Sequence, residues 1–183
     1  MSVVLVFLLW RLPNEYTISR HNRGKTTAGT VAFPSGVAIQ TVYSEYATYG
    51  SSTSTSIFSI PVTATITPKF SDSKILVHVS LNGMYSSGNA RNCIQELYKN
   101  IGGAGASSVH RFQSTMGYVT AGDEASYGTY SNAYHYYETA GSTSSIVYQI
   151  YLLQNSAGTV FWNNYNALNG DTKSTMVLQE IKQ

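Results

Sequence analysis

The chain has 183 residues, enough for one domain with an additional segment and short for two. Hydrophobic residues make up 43% and charged residues only 11%, against ~25% in an ordinary soluble domain. A formal net charge of +2, with no run of Lys and Arg to track a phosphate backbone, argues against a nucleic-acid partner.

Polarity comes instead from serine, threonine and 15 tyrosines. Thr and Tyr favour strands and Gly and Ser favour turns, so the composition is that of an all-β protein. The single cysteine, Cys93, can form neither an internal disulfide nor a multi-cysteine metal site, and reads as a small buried apolar residue.

Along the chain, Val3 to Trp10 (VVLVFLLW) is apolar but too short to span a bilayer, which takes ~20 residues. No stable membrane span is expected. Three readings stand for this run: an element packed on a partner chain, an anchoring or signal-like segment, or translation from an upstream start codon. Residues 14 to 36 are polar and turn-rich and read as an extended arm. The sequence therefore divides into an N-terminal segment and arm, 1–36, and a β-domain, 37–183.

From Val37 the pattern turns regular. Val37, Ile39, Thr41 and Tyr43 alternate on one face. Ile57 to Thr67 sets Val62, Ala64 and Ile66 against Thr63, Thr65 and Thr67, a half-buried strand whose Pro61 predicts a strand start or a sheet edge. Lys74 to Leu81 puts Ile75, Val77, Val79 and Leu81 on one face, and Asn82-Gly83 predicts a turn that ends it. Asn92 to Lys99 is a further strand, followed by a loose glycine-rich stretch at 102–106. Val109 to Phe112 and Met116 to Thr120 are short candidates. Tyr127 to Tyr137 is dense in tyrosine. Ser145 to Gln154, Thr159 to Tyr165 and Ser174 to Ile181 complete the set. Short strands with frequent turn residues predict an antiparallel β-sandwich, jelly-roll-like, with Ile75, Val77, Val79, Ile146, Tyr148 and Ile150 in one core.

Little here carries chemistry. Gly24-Lys25-Thr26 matches the end of a phosphate-binding loop, but position 19 is Ser where that loop needs Gly, and no strand or helix pattern flanks it. His21, His78, His110 and His135 lie far apart with no metal-ligand spacing; His78 reads as a packed or hydrogen-bonded core histidine and His135 as a surface residue. Asp123-Glu124 is a solvated pair. No nucleophile elbow is present. The chain reads as non-enzymatic, with no cofactor and no metal. One stretch rises above background: Tyr127, Tyr130, Asn132, Tyr134, His135, Tyr136 and Tyr137. It reads either as a recognition surface, since Tyr offers a rigid apolar face with a polar tip, or as strand edges whose rings cap the core.

Four stretches resemble a domain common in structural proteins of bacteriophages, often called tail-fibre proteins. They are Phe33 to Gly36 leading into VAIQTVY, the run Ile66 to Val77 (ITPKFSDSKILV), Leu97 to Asn100, and the terminal strands from Ser144 to Gln154, Gly158 to Val160 and Ser174 to Ile181 with their Glu-Ile ending. The resemblance spans about four-fifths of the chain from residue 34 onward. It implies a β-sandwich, often a homotrimer, in a virion, with no catalytic residues to carry over. The expected partners are other copies of the chain, other virion proteins through the N-terminal arm, and a host surface glycan or protein. The alternative is a stand-alone carbohydrate-binding β-sandwich.

Overall fold

The computed structural model describes residues 34–88, 93–113, 130–154, 158–163 and 172–183. The apolar run at 3–10, the arm up to residue 33, the candidate strand at 116–120, the Asp123-Glu124 pair and Tyr127 lie outside the described residues.

Ten strands make up the described chain: β1 (Ala38–Tyr46), β2 (Gly50–Ser52), β3 (Phe58–Ile66), β4 (Lys74–Gly88), β5 (Cys93–Ile101), β6 (Ser107–Gln113), β7 (Tyr130–Thr139), β8 (Ile146–Gln154), β9 (Gly158–Trp162) and β10 (Ser174–Ile181). All pairings are antiparallel. One sheet runs β1-β10-β4-β9-β2, with β7 on the other flank of β4; the second runs β3-β8-β5-β6. β9 follows the lane of β10, and β2 that of β1: β10 pairs β4 as far as Ser80, β9 takes over from Tyr85, and β2 pairs β9 as β1 pairs β10. Taking each such couple as one lane gives two four-lane sheets. Their chain orders, first-last-third-sixth and second-seventh-fourth-fifth, are the two interlocked Greek keys of a jelly roll.

The core forms because each strand alternates. Val62, Ala64 and Ile66 of β3, Ile75, Val77 and Val79 of β4, Ile146, Tyr148 and Ile150 of β8, and Met176 and Leu178 of β10 point between the sheets and are buried in one cluster. The expected core set is thus all inside. Pro61 sits on an edge strand, as its missing N–H requires. There three residues of β3, Ile60 to Val62, face one of β8, Ile150, and the Gln149 side chain donates to the Ile60 carbonyl across the bulge, at 3.1 Å.

Three expectations need correction. Asn82-Gly83 does not end a strand: β4 continues to Gly88, and the dipeptide forms a bulge, with Leu81 to Met84 facing only Asn132 to Tyr130. Gly83 takes φ 60°, which a side chain resists. The extra residue resets the alternation, so Leu81 and Met84 both point inward. In β1 the face holding Thr41 and Tyr43 turns outward, while Val42 and Tyr46 pack on the core. A bulge between Ala38 and Gln40, where two steps oppose one on β10, shifts the phase. His78, expected in the core, lies on the outer face of β4, because its neighbours Val77 and Val79 fill the inner one.

Each end of the sandwich is tied by one buried polar side chain. At one end the Glu180 carboxylate of β10 accepts the backbone amides of Lys69 (2.8 Å) and Phe70 (3.1 Å) in the β3–β4 turn. Lys182 reaches Asp72 at 3.1 Å and lies 4.6 Å from the centre of the Phe70 ring. At the other end Asn163, at φ 53°, sits where both lanes break. Its amide nitrogen donates to the carbonyls of Tyr46 (3.0 Å) and Thr48 (3.1 Å), its side-chain oxygen accepts from Ser174 Oγ (2.6 Å), and its backbone N–H reaches Asn82 O (3.0 Å).

Candidate functional site

Strand alternation divides the tyrosine-rich stretch. Within β7, Asn132, Tyr134, Tyr136 and Glu138 oppose Leu81, Val79, Val77 and Ile75, and so share the inner face with them. The Tyr134 hydroxyl donates to Gln95 Oε1 at 2.6 Å, and its ring stacks on Phe112 of β6, centroids 4.4 Å apart. Tyr136 stacks on His110, also of β6, at 5.3 Å. Glu138 accepts from Lys99 Nζ (2.5 Å) and from the buried Tyr148 hydroxyl (2.6 Å). These contacts close the side of the sandwich where the edge strands β7 and β6 meet. Burial pushes the Tyr134 phenol up to about 12 and raises that of Tyr148 further, with the Glu138 hydrogen bond adding to the second.

His135 and Tyr137 point the opposite way. They belong to the outer face of the β1-β10-β4-β7 sheet, whose register lines residues up in rows. One row reads Tyr43, Val177, His78, His135; the next reads Thr41, Gln179, Leu76, Tyr137; a third reads Glu45, Thr175, Ser80, Ala133. Tyr43 is 60% exposed and Tyr137 54%. The face is therefore aromatic, aliphatic and hydroxyl-bearing, with few charges. Glu45 is engaged by Tyr43 (2.9 Å) and Lys173 (2.7 Å), and both hydrogen bonds hold its carboxyl below the usual range, that of Lys173 the more strongly. Lys74 bonds Thr139 at 2.6 Å.

At the β4–β7 flank of this face the Nδ1 atoms of His78 and His135 stand 2.7 Å apart, with their rings edge to face at 83°. At that distance one ring carries its proton on Nδ1 and the other accepts it. Burial, and then the proximity of His135, lower the pKa of His78.

Of the seven residues singled out from sequence, the sheet brings His135 and Tyr137 together on the open face. It turns Asn132, Tyr134 and Tyr136 inward. Tyr130 opens β7 opposite Met84. Sequence reading missed Tyr43 and His78 as members of the same face. The available signal was that each occupies an outward position of an alternating strand; their meeting depends on a register that spans the chain from β1 to β10.

The outer face of the second sheet carries a depression lined by Tyr98, Lys99, Asn100, Ala106, Val147, Gln149 and Tyr151. Tyr98 and Tyr151 stack there at 4.0 Å. Beside them Glu96, buried, is held by Arg111 and by Ser108 Oγ (3.0 Å). Cys93 is buried, and burial raises its thiol to about 12, so it stays protonated and inert. Among the described residues no helix is long and apolar enough to cross a membrane, and no group of three or more His, Cys, Asp or Glu converges on a metal position.

The chain matches no protein-family model and no curated protein sequence. Among solved structures it aligns with a chain from the structure of infectious bursal disease virus, Gt strain, at TM-score 0.41 and 14% identity over 80% of its own length and 39% of the other's. A chain of the Gx strain aligns at TM-score 0.35 and 11% identity over 78% and 38%. This chain spans about two-fifths of the length of those viral chains. Likeness at this level says nothing of what the chain does.

Proposed function

We propose that the chain is a non-enzymatic structural component of a bacteriophage particle, a tail fibre or a capsid-attached fibre, that works by presenting a surface. One observation carries the reading. Two of the stretches that resemble the phage domain tie one end of the sandwich: the turn and strand at 66–77 and the terminal Glu-Ile meet where Glu180 binds the amides of Lys69 and Phe70. The resembling motif thus has a physical reason in this fold, as the clamp of one end of the jelly roll. The sparsely charged outer face fits a protein that packs against copies of itself or against a host surface. The homotrimer, the attachment to other virion proteins through residues 1–36 and the location in the virion follow from the resemblance.

On this reading the contact role within the tyrosine-rich stretch falls to His135 and Tyr137, with Tyr43 at the far end of the same face, and Tyr134 and Tyr136 are structural. Purified particles, banded by density and probed with an antibody to the chain, test the placement. The chain should band with intact particles in fixed stoichiometry, and its absence from them sinks the proposal. Replacing Tyr43 and Tyr137 with Ser should slow adsorption to cells at unchanged melting temperature, whereas Tyr134→Ser should lower the melting temperature.

A second reading, a stand-alone carbohydrate-binding module, is favoured by the depression beside the stacked Tyr98 and Tyr151, since sugar rings pack on aromatic faces and bond to flanking amides such as Asn100. Saturable glycan binding that Tyr151→Ala abolishes, in a protein absent from particles, would establish it instead.

A further inference from the structure

His78 of β4 and His135 of β7 are direct register partners, which sets their Cβ atoms ~4.5–5.5 Å apart on the same side of the sheet. Both rings turn their Nδ1 atoms to the same point, 2.7 Å from each other. Around them on the outer face stand Leu76, Ser80, Ala133, Tyr137 and Val177, none of them acidic. Lys74, four residues before His78 on that face, is occupied by Thr139 and lies 5.5 Å from the centre of the Tyr137 ring. The two imidazoles thus form an isolated pair of nitrogen ligands with one side open to water, since His135 is exposed.

We propose that His78 and His135 form a two-imidazole site for a divalent transition-metal ion that sets neighbouring ligands at right angles, of the Ni2+ or Cu2+ class. The spacing favours that class. With metal–nitrogen bonds of about 2.0–2.1 Å, ligands at a right angle stand about 2.9 Å apart and ligands at the tetrahedral angle about 3.4 Å. The observed 2.7 Å needs only a small opening for the first and a several-fold larger one for the second. A turn of each ring about χ2 aims both lone pairs at one point outside the sheet; the ring that carried its proton on Nδ1 gives it up to water and takes one on Nε2, so both imidazoles stay neutral. Water fills the remaining positions, because the surrounding five side chains bring no carboxylate. The site does not depend on the role proposed above.

Calorimetric titration of the untagged full chain at neutral pH with Ni2+, and separately with Zn2+, tests it. Ni2+ should bind one per chain and more tightly than Zn2+. His78→Gln and His135→Gln should each weaken Ni2+ binding by about tenfold or more, because the second ligand of a preformed pair acts at high effective concentration. His110→Gln should leave it unchanged. With Cu2+, electron paramagnetic resonance should show nitrogen splitting from two imidazoles in the native chain and from one in either variant. Undiminished Ni2+ affinity in both variants, an equal loss in His110→Gln, or Zn2+ binding tighter than Ni2+ overturns the proposal. Both positions lie on the outer face, and His135 on an edge strand, so an unchanged circular dichroism spectrum shows that the variants fold.

Discussion

Asn163 combines two constraints in one residue. Its backbone lies in the left-handed region, at φ 53°, and its buried side chain makes three hydrogen bonds to two distant parts of the chain, Tyr46 and Thr48 at the end of β1 and Ser174 at the start of β10. Asparagine is among the few non-glycine residues that tolerate this conformation. The two constraints separate by mutation. Asn163→Gly relieves the backbone and removes the bonds, and should cost about 2–3 kcal/mol in urea unfolding, as expected when buried polar partners are orphaned. Asn163→Ala should cost about 1 kcal/mol more, the penalty for a Cβ in that region. Glu180→Gln should lower stability by about 1–3 kcal/mol, since an amide accepts the Lys69 and Phe70 N–H groups less strongly than a carboxylate does. The terminal Glu stood out in the sequence only through resemblance. That it is buried and binds a turn over a hundred residues earlier was not legible, because neither burial nor partner is a local property.

Strand elements were legible wherever alternation was unbroken. β3, β8 and β10 lie within a residue or so of the stretches expected for them, and their inward residues are the expected ones. Reading failed at bulges. Asn82-Gly83 has the composition of a hairpin turn, yet β7 and β9 supply partners on both sides of it, so the strand runs through. The phase of β1 was lost the same way, at Ile39. Gly83→Ala, which adds only a methyl group while opposing φ 60°, should destabilise by about 1–2 kcal/mol; an unchanged urea midpoint would mean that the bulge can move. Gly50 has a different restriction: the Trp162 ring lies over its Cα, where a Cβ would collide with it. Gly50→Ala should therefore displace that ring and shift the chain's tryptophan emission, with the far-ultraviolet dichroism of the sheet retained. Pairing across β4 and β7, which assembles the histidine pair, was illegible for a plainer reason: their register links residues 57 positions apart.

At the scale of the whole molecule, the side closed by β6 and β7 depends on neutral phenols between the sheets. Tyr134 ionises near 10 in an unfolded chain and at about 12 here. A folded pKa above the unfolded one means that the native state holds its proton longer. The associated stability is complete below pH 10 and is lost as pH climbs through 12. Urea midpoints measured from pH 8 to 12 should fall above pH 10, and Tyr134→Phe should flatten that fall while lowering the midpoint at pH 8 through loss of the Gln95 bond. A midpoint in the native chain indifferent to pH up to 12 would contradict the burial of these rings.

The break shared by two lanes of the first sheet bears on how the molecule opens. Beyond Asn163, β2 has three residues and β9 five, and they continue the sheet across a gap that β4 alone spans as an unbroken strand. Such a cap can detach as a cooperative unit while the lower lanes stay closed. In native-state hydrogen exchange, the amides of Ser51 and Phe161 should therefore exchange through a sub-global opening, at a free energy below that of Val77 and Leu178. Asn163→Gly should lower the protection of the first pair more than that of the second, making the cap the place where the protein first lets solvent in.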